Sequence, residues 1–95
     1  MYALVLWYHK SLGLAYNDRG VDYYGKKEDD KAIEDYKNAI KSNSEDPVIQ
    51  HNLYLAYNTK GMYKEAEENL RNAIRLDPDN QTYSEELKKL EAKKS

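Results

Sequence analysis

Hydrophobic residues recur at helical spacing over two neighbouring stretches of this chain. Across residues 47–80, apolar positions lie three or four residues apart, the pattern stops at Gly61, and it then resumes. These positions hold Ile49, Leu53, Ala56, Tyr57, Ala66, Leu70, Ala73, Ile74 and Leu76. Residues 13–46 follow the same plan around a polar turn at 25–27. Each stretch therefore predicts a helix, a turn and a second helix.

The two stretches match each other at a constant offset, the separation of Tyr23 and Tyr57. Other pairs at the same offset are Ala32 with Ala66, Asn38 with Asn72, Ala39 with Ala73, and Ile40 with Ile74. A fixed period of this length indicates stacked two-helix units, which bury their apolar faces against their neighbours. We predict an all-α stack with one unit over 13–46, a second over 47–80 and a solvating helix over 81–95.

Helix ends are marked by capping residues. Asp46 can cap a helix that begins at Pro47, where the missing N–H of proline costs nothing. Asn80 can cap the last helix. That helix has a single apolar stripe of Tyr83, Leu87 and Leu90, and its other faces are polar. Such a helix suits the end of a stack, because it covers the last unit and presents a wettable outer surface.

The charge balance argues against two classes of partner. Lys and Arg number 15 and Asp and Glu number 17, so the formal net charge is −2. Nucleic acid or anionic membrane binding usually requires a basic excess, which is absent from the composition. The chain has no cysteine, which fits a reducing compartment, and we expect a cytoplasmic location.

No residue pattern indicates catalysis or a metal site. The histidines, His9 and His51, lie far apart and lack metal-ligand spacing, and no nucleophile accompanies His51 as a small hydrolase would require. The acidic run at 77–80 has Lys88 where a calcium loop needs a bidentate glutamate. We therefore expect no enzyme activity, no metal and no cofactor.

The order of small and bulky residues resembles the tetratricopeptide repeat (TPR) family. The second unit supplies Leu53, Tyr54, Tyr57, Gly61, Ala66, Leu70, Ala73 and Pro78, and the first supplies Gly20, Tyr23, Ala32, Tyr36 and Ala39. The resemblance implies a right-handed superhelical stack of antiparallel helix pairs, a TPR-like α-solenoid. The departures from the family pattern are Tyr54 for a small residue, Tyr16 and Gln50 for tryptophan, Arg19 for leucine, and Ser44 for proline.

The resemblance also implies a non-catalytic module whose first helices line a concave groove for a peptide or helix of a partner protein. By register, the groove residues are Asn17, Val21, Tyr24, His51, Leu55, Asn58, Glu85 and Lys89. The alternative is that these are solvated side chains on exposed helix faces. One branch of the family grips acidic C-terminal tails with a Lys/Asn/Arg clamp. Here Asn52 agrees with that clamp, whereas Asn17, Val21 and Glu86 stand at the other matching places and depart from it, so we expect no such recognition.

The N-terminal segment, residues 1–12, is strongly apolar. It is too short to span a membrane and lacks the features of a signal peptide. Two interpretations remain: the second helix of a partial repeat, or the start of one longer helix in which Gly13 is internal. In either case an exposed cluster of Leu4, Leu6 and Trp7 favours an interface. This cluster suggests a second possible function. The protein would be a structural scaffold, natural or designed, that forms a homo-oligomer through this segment, or the segment would dock on another part of a longer chain.

Overall fold

The computed structural model describes residues 2–94, which form five α-helices and no strand. The helices are α1 (Tyr2–Gly25), α2 (Asp29–Ser42), α3 (Pro47–Thr59), α4 (Tyr63–Leu76) and α5 (Gln81–Lys94). Met1 and Ser95, the outer ends of the first and last predicted segments, lie outside the described residues. The all-α helix-pair architecture expected from the periodicity is confirmed.

Two glycines bring α1 and α2 into close contact. A Cβ atom on Gly20 would lie 2.6 Å from Cε1 of Tyr36, and one on Gly13 would lie 2.7 Å from Cβ of Asn43. The earlier glycine faces the later part of α2, so the two helices are antiparallel. Gly13 lowers the intrinsic helix propensity of α1 by about 1 kcal/mol, and its position shows the reason for it: no side chain fits there.

An ion pair completes the contact between α1 and α2. Arg19 donates from Nε to Oδ2 and from Nη2 to Oδ1 of Asp35, both at 2.8 Å. The hydrogen bonds and charge of Asp35 raise the pKa of Arg19. Asp35 is buried. One repeat later the same two positions hold Leu53 and Asn69, so Arg19 and Asp35 differ together from the second unit.

Equivalent turns join the helices of both units. Lys27 (φ 64°) and Gly61 (φ 77°) occupy the same repeat position and both have left-handed backbone conformations. Their N–H groups donate to the carbonyls of Tyr24 and Asn58, each at 3.0 Å. A left-handed conformation costs a residue with a side chain about 1–2 kcal/mol, and glycine escapes that cost. The first unit therefore has a strained turn where the second has a relaxed one.

The core runs through both units and into α5. Its buried members are Ala32, Ile33, Tyr36, Leu53, Tyr54, Ala56, Tyr57, Ala66, Leu70, Ala73, Tyr83 and Leu90. Alanines without any exposed surface, such as Ala32 and Ala66, let helix backbones approach closely. Tyrosine supplies the aromatic packing, as the absence of phenylalanine predicts. Burial raises the pKa of Tyr36 to about 12.

Helix α1 extends well past the stack. Residues 2–10 are all exposed, and at 1.5 Å per residue they project about 13 Å. The N-terminal segment is thus the start of one long helix, the second of the two interpretations above. With this projection the molecule measures 49 × 31 × 17 Å. None of the helices formed by residues 2–94 is long and apolar enough to cross a membrane.

Candidate binding groove

Helices α1 and α3 lie side by side in the same direction, joined by side-chain hydrogen bonds. Asn52 Nδ2 donates to Asn17 Oδ1 at 2.8 Å. Farther along, the hydroxyl of Tyr24 lies 2.9 Å from Oγ1 of Thr59. Because Thr59 donates its own hydrogen to the carbonyl of Leu55, Tyr24 is the donor in that pair. These bonds hold the first two helices of the groove at a fixed spacing.

Helices α3 and α5 are joined around His51. Its Nε2 lies 2.7 Å from Oε1 of Glu86, and its ring stacks on Tyr83 with centroids 4.7 Å apart. The ring also makes a tilted contact with Tyr54, at 5.4 Å between centroids. Burial raises the pKa values of Tyr54 and Tyr83. The third helix of the groove is therefore held by a packed histidine.

Four residues form an apolar strip along the groove side of α1 and α3: Leu14, Val21, Val48 and Leu55. On each helix the two members are seven residues apart, so two turns bring them onto one face. Leu14 and Val21 are each 47% exposed and Val48 is 51% exposed. After Tyr8, these three are the only exposed large hydrophobic residues in the described part of the chain. The exposed apolar surface of the stack is therefore concentrated on one side.

Carboxylates flank this strip. Asp18, Asn52 and Glu86 occupy the same repeat position in three successive helices, α1, α3 and α5. Asp18 is exposed, and Glu86 keeps about a quarter of its side chain exposed beside His51. On α5, Glu85 adds a further exposed carboxylate. The groove thus combines an apolar strip with acidic groups at its edge.

The predicted groove residues differ in how accessible they are. Val21, Glu85 and Lys89 are exposed, and Tyr24, His51, Leu55 and Asn58 are half-buried. Asn17 is buried, with 9% exposure, because it accepts the hydrogen bond from Asn52. Sequence reasoning missed Leu14 and Val48. Their signal was present, since each precedes a predicted groove residue by two helical turns.

Asn58 has an unusual environment. Its Oδ1 is buried and has no hydrogen-bond partner within residues 2–94. A buried acceptor without a partner costs about 1–3 kcal/mol relative to a satisfied one. The groove side of α3 therefore contains a polar atom that a small rearrangement or a bound donor would stabilise.

The residues predicted for self-association are all accessible. Leu4, Leu6 and Trp7 are 71%, 45% and 67% exposed on the projecting part of α1. Tyr2 and Tyr8, on the same part of the helix, are 81% and 58% exposed. We call residues 2–8 the N-terminal apolar segment. It is apolar around its whole circumference, which is typical of helices that are covered by other protein.

The described residues were also compared with the geometry of metal sites. Between residues 2 and 94, no three His, Cys, Asp or Glu side chains converge in a way that could hold an ion. The polar groups of the groove are amides, hydroxyls, carboxylates, one stacked imidazole and the ammonium group of Lys89, all of which can hydrogen-bond a polypeptide.

Known proteins with similar sequence or structure contain tetratricopeptide repeats. Residues 50–80 match the family model described as a tetratricopeptide repeat. The structure is similar to the TPR domain of Arabidopsis OM64, with a TM-score of 0.84 and 20% identity over 90% of this chain and 70% of that one. No curated protein matches the sequence significantly.

Some of the similar structures contain bound peptides. The second TPR of Spaghetti (RPAP3), bound to the HSP90 peptide SRMEEVD, has a TM-score of 0.74 and 24% identity, over 87% of this chain and 86% of that one. The second TPR domain of human RPAP3, in complex with the HSP70 peptide SGPTIEEVD, has a TM-score of 0.68 and 20% identity, over 87% of this chain and 98% of that one. At these identities the similarity shows the fold alone.

Proposed function

Because residues 50–80 match a tetratricopeptide repeat in a chain with the fold of TPR domains, we propose that this protein is a non-catalytic interaction module. Its concave groove would hold a peptide or helix from a partner protein. The peptide complexes of the RPAP3 domains support this use of the fold.

The exposed apolar strip is the observation that carries the proposal. Water-exposed valine and leucine side chains are unfavourable, and covering a half-exposed one is worth about 1 kcal/mol. Leu14, Val21 and Val48 lie on the side where polar groups of Asn52 and Glu86 remain in reach. An apolar stripe bordered by a few polar groups suits the apolar face of a short segment, whose side chains fill the strip while its polar groups meet the edge.

The charges at the groove edge argue for a partner different from those of the RPAP3 domains. Among the described residues, the groove side contains one cation, Lys89, against the carboxylates of Asp18, Glu85 and Glu86. An acidic tail would therefore meet mainly like charge, which weakens binding. The N–H groups of a neutral or basic segment would instead find carboxylate acceptors. We propose that the partner segment is apolar and not acidic.

Peptide selection tests this proposal. A random peptide library is panned on the wild-type protein, and the affinities of the selected peptides are then measured by calorimetry. We expect apolar peptides that lose at least about tenfold in affinity when the three exposed residues of the apolar strip become serine. The matched control carries serine at Glu34, Lys64 and Arg75, exposed residues of α2 and α4, and should bind normally. Equal weakening in both variants, or tight binding of SRMEEVD, would contradict the proposal.

A second function, self-association, is favoured by the N-terminal apolar segment. At about 150–250 Å² per ring, Tyr2, Trp7 and Tyr8 together expose roughly 400 Å² per chain. Because these rings point to different sides of the helix, a pair of copies would cover only part of the roughly 800 Å² that they expose together, and Leu4 and Leu6 would add to the contact, which stays below the roughly 1200–2000 Å² of stable interfaces and fits a weak dimer. The occupant we propose is a second copy of this chain, paired helix to helix.

Sedimentation equilibrium at micromolar concentration tests self-association. We expect a dimer that loosens when Leu6 and Trp7 become alanine, with the helical circular dichroism of the two central units retained. A wild-type protein that stays monomeric over this range would remove this function and leave the groove proposal untouched.

A further inference from the structure

Two apolar surfaces of this protein are left uncovered by its own fold. Within residues 2–94, every exposed large hydrophobic residue belongs either to the N-terminal apolar segment or to the apolar strip of the groove. Exposed apolar surface that is concentrated in this way usually marks an interaction site. If the segment of one copy lay on the strip of another, a single kind of contact would cover both surfaces.

The two surfaces share one side of α1. Trp7, Leu14 and Val21 follow one another at intervals of seven residues, so two helical turns bring each onto the same side as the next. The apolar strip therefore continues from the groove into the N-terminal apolar segment, where Trp7 is 67% exposed. A second copy whose α1 runs antiparallel along this side would place its own Trp7 against the strip.

The segment and the strip also have similar lengths. At 1.5 Å per residue, the exposed residues 2–10 extend over about 13 Å, and Leu14 lies about 10 Å from Val21 along α1. The same number of residues separates Val48 from Leu55 on α3. An apolar helix laid into a groove between two helices is a common mode of recognition, and its anchors are spaced over this distance.

The charges of the segment complement those of the groove. Residues 2–10 contain no carboxylate and end with a histidine and Lys10. The groove edge presents the exposed carboxylates of Asp18 and Glu85, with Lys89 beside them. Opposite charges on two surfaces favour their association. The segment therefore has both properties that we propose for the groove's partner, because it is apolar and it is not acidic.

The groove of its own chain is out of reach for the segment. Helix α1 runs without a break from Tyr2 to Gly25, and its first residues extend past the stack. Turning the segment back would require α1 to break near Gly13, where it is in close contact with Asn43 of α2. The segment can therefore fill the groove of a second copy without any change in fold.

We propose that the groove's partner is the N-terminal apolar segment of a second copy of this chain. In a two-fold pair, the segment of each copy would lie along the apolar strip of the other, with Lys10 near the acidic edge. This inference rests on the groove and the self-association proposed above, and it names the surface that the segment covers. Because the contact is made twice and includes both strips, it covers more area than two segments packed only on each other.

Sedimentation equilibrium at micromolar concentration tests which surface the segment covers. In the strip variant, Leu14, Val21 and Val48 are all replaced by serine. We expect its dimer to be at least about tenfold weaker than that of the wild type, with the helical circular dichroism retained. The control variant with serine at three exposed residues of α2 and α4 should form the dimer normally.

A mixture of two defective variants gives a sharper test. In the segment variant, Leu6 and Trp7 are replaced by alanine and the strip stays intact. Mixed with the strip variant, it should form a heterodimer at least about threefold tighter than either homodimer, because one of the two contacts joins an intact segment to an intact strip. The other contact is defective on both sides, and two defects in one contact cost little more than one.

A peptide of residues 2–10 tests the contact without self-association. Trp7 is the single tryptophan of the sequence, so the segment variant binds the peptide without any tryptophan fluorescence of its own. We expect a saturable blue shift of the peptide emission. A peptide with Lys10→Glu should bind at least about threefold more weakly at low salt, and high salt should remove that difference. This measurement also decides the question if the strip variant fails to fold.

The outcomes separate this inference from the proposals on which it rests. A wild-type dimer that is unchanged in the strip variant would overturn the inference and leave self-association standing, as would a mixture without a tighter heterodimer. A peptide signal that does not saturate, or equal binding of the two peptides, would also overturn it. A monomeric wild type would remove both this inference and self-association, whereas the groove proposal would still be decided by peptide selection.

Discussion

The close approach of α1 to α2 at Gly20 predicts how much a single methyl group should cost. In Gly20→Ala, the new Cβ would lie 2.6 Å from Cε1 and 2.8 Å from Cδ1 of Tyr36, whose exposure is 2%. Forcing an extra methyl into a packed core costs about 1–3 kcal/mol. The better helix propensity of alanine stabilises α1 by up to about 1 kcal/mol, so the net loss of stability is smaller than the cost of the clash alone.

Gly25→Ala separates these two effects. Gly25 ends the same helix, and nothing lies within 4 Å of the Cβ that alanine would add. The Gly20 variant should therefore be less stable than the Gly25 variant by about 1–3 kcal/mol. For a domain of this size that corresponds to at least about 4 °C in Tm, measurable by circular dichroism at 222 nm, with urea titration giving the free energy. If the two variants unfold together, the ring of Tyr36 moves aside freely and the close contact is not a packing constraint.

Four further results are expected, each from one feature of the structure. Lys27→Gly should raise the free energy of unfolding by about 1 kcal/mol in urea titrations, because it relieves the left-handed conformation; an unchanged or lower value would contradict this. Asp46→Ala should lower it by about 1 kcal/mol through loss of the helix cap, and no change would show that the cap is dispensable. Arg19→Leu should lower Tm because it leaves the buried carboxylate of Asp35 unpaired. The double variant that adds Asp35→Asn copies the second unit and should recover most of the lost Tm. A further drop in Tm would refute the pairing argument. The pKa of Tyr36 is raised to about 12 from an ordinary 10, so the tyrosine ionises at lower pH in the unfolded chain than in the folded one. Its contribution to the free energy of unfolding is therefore complete below pH 10 and is lost as the pH rises to 12. Between pH 10 and 12 the free energy of unfolding of Tyr36→Phe should fall by about 2–3 kcal/mol less than that of the wild type, and parallel curves would contradict the shift.

The fold was predictable because its signals are local or periodic. Asp46 accepts the N–H of Val48 at 2.9 Å, and Asn80 accepts that of Tyr83 at 3.2 Å, as the capping pattern predicted. The constant offset between the two units indicated their stacking without any knowledge of distances. Small residues such as Ala66 marked the places where helices meet.

Pairwise chemistry between helices was not predictable in the same way. Arg19 was noted only as a departure from leucine, because its partner Asp35 lies 16 residues away and nothing local links them. The strained turn at Lys27 was hidden by the nearby Gly25, which is the residue type expected to take positive φ. Such features depend on how one helix is rotated against the next.

The sequence placed the proposed groove residues on one face by register, but it did not predict how accessible each of them is. Helical spacing identified the side that contains Val21 and Leu55, but it could not show that Asn17 is buried under a hydrogen bond from Asn52. Nor could it show that Nε2 of His51 is already hydrogen-bonded to Glu86. Contacts between neighbouring odd-numbered helices determine how much of each predicted residue a partner can reach.

The projecting start of α1 also affects the hydrodynamic properties of this protein. With a longest dimension of 49 Å and a shortest of 17 Å, a single 11.1 kDa chain has more frictional drag than a sphere of equal mass. It should leave a gel-filtration column early and tumble anisotropically, with faster spin about the long axis than end over end. A column calibrated with round standards will overstate its mass, whereas light scattering or equilibrium sedimentation, which do not depend on shape, will return the mass directly.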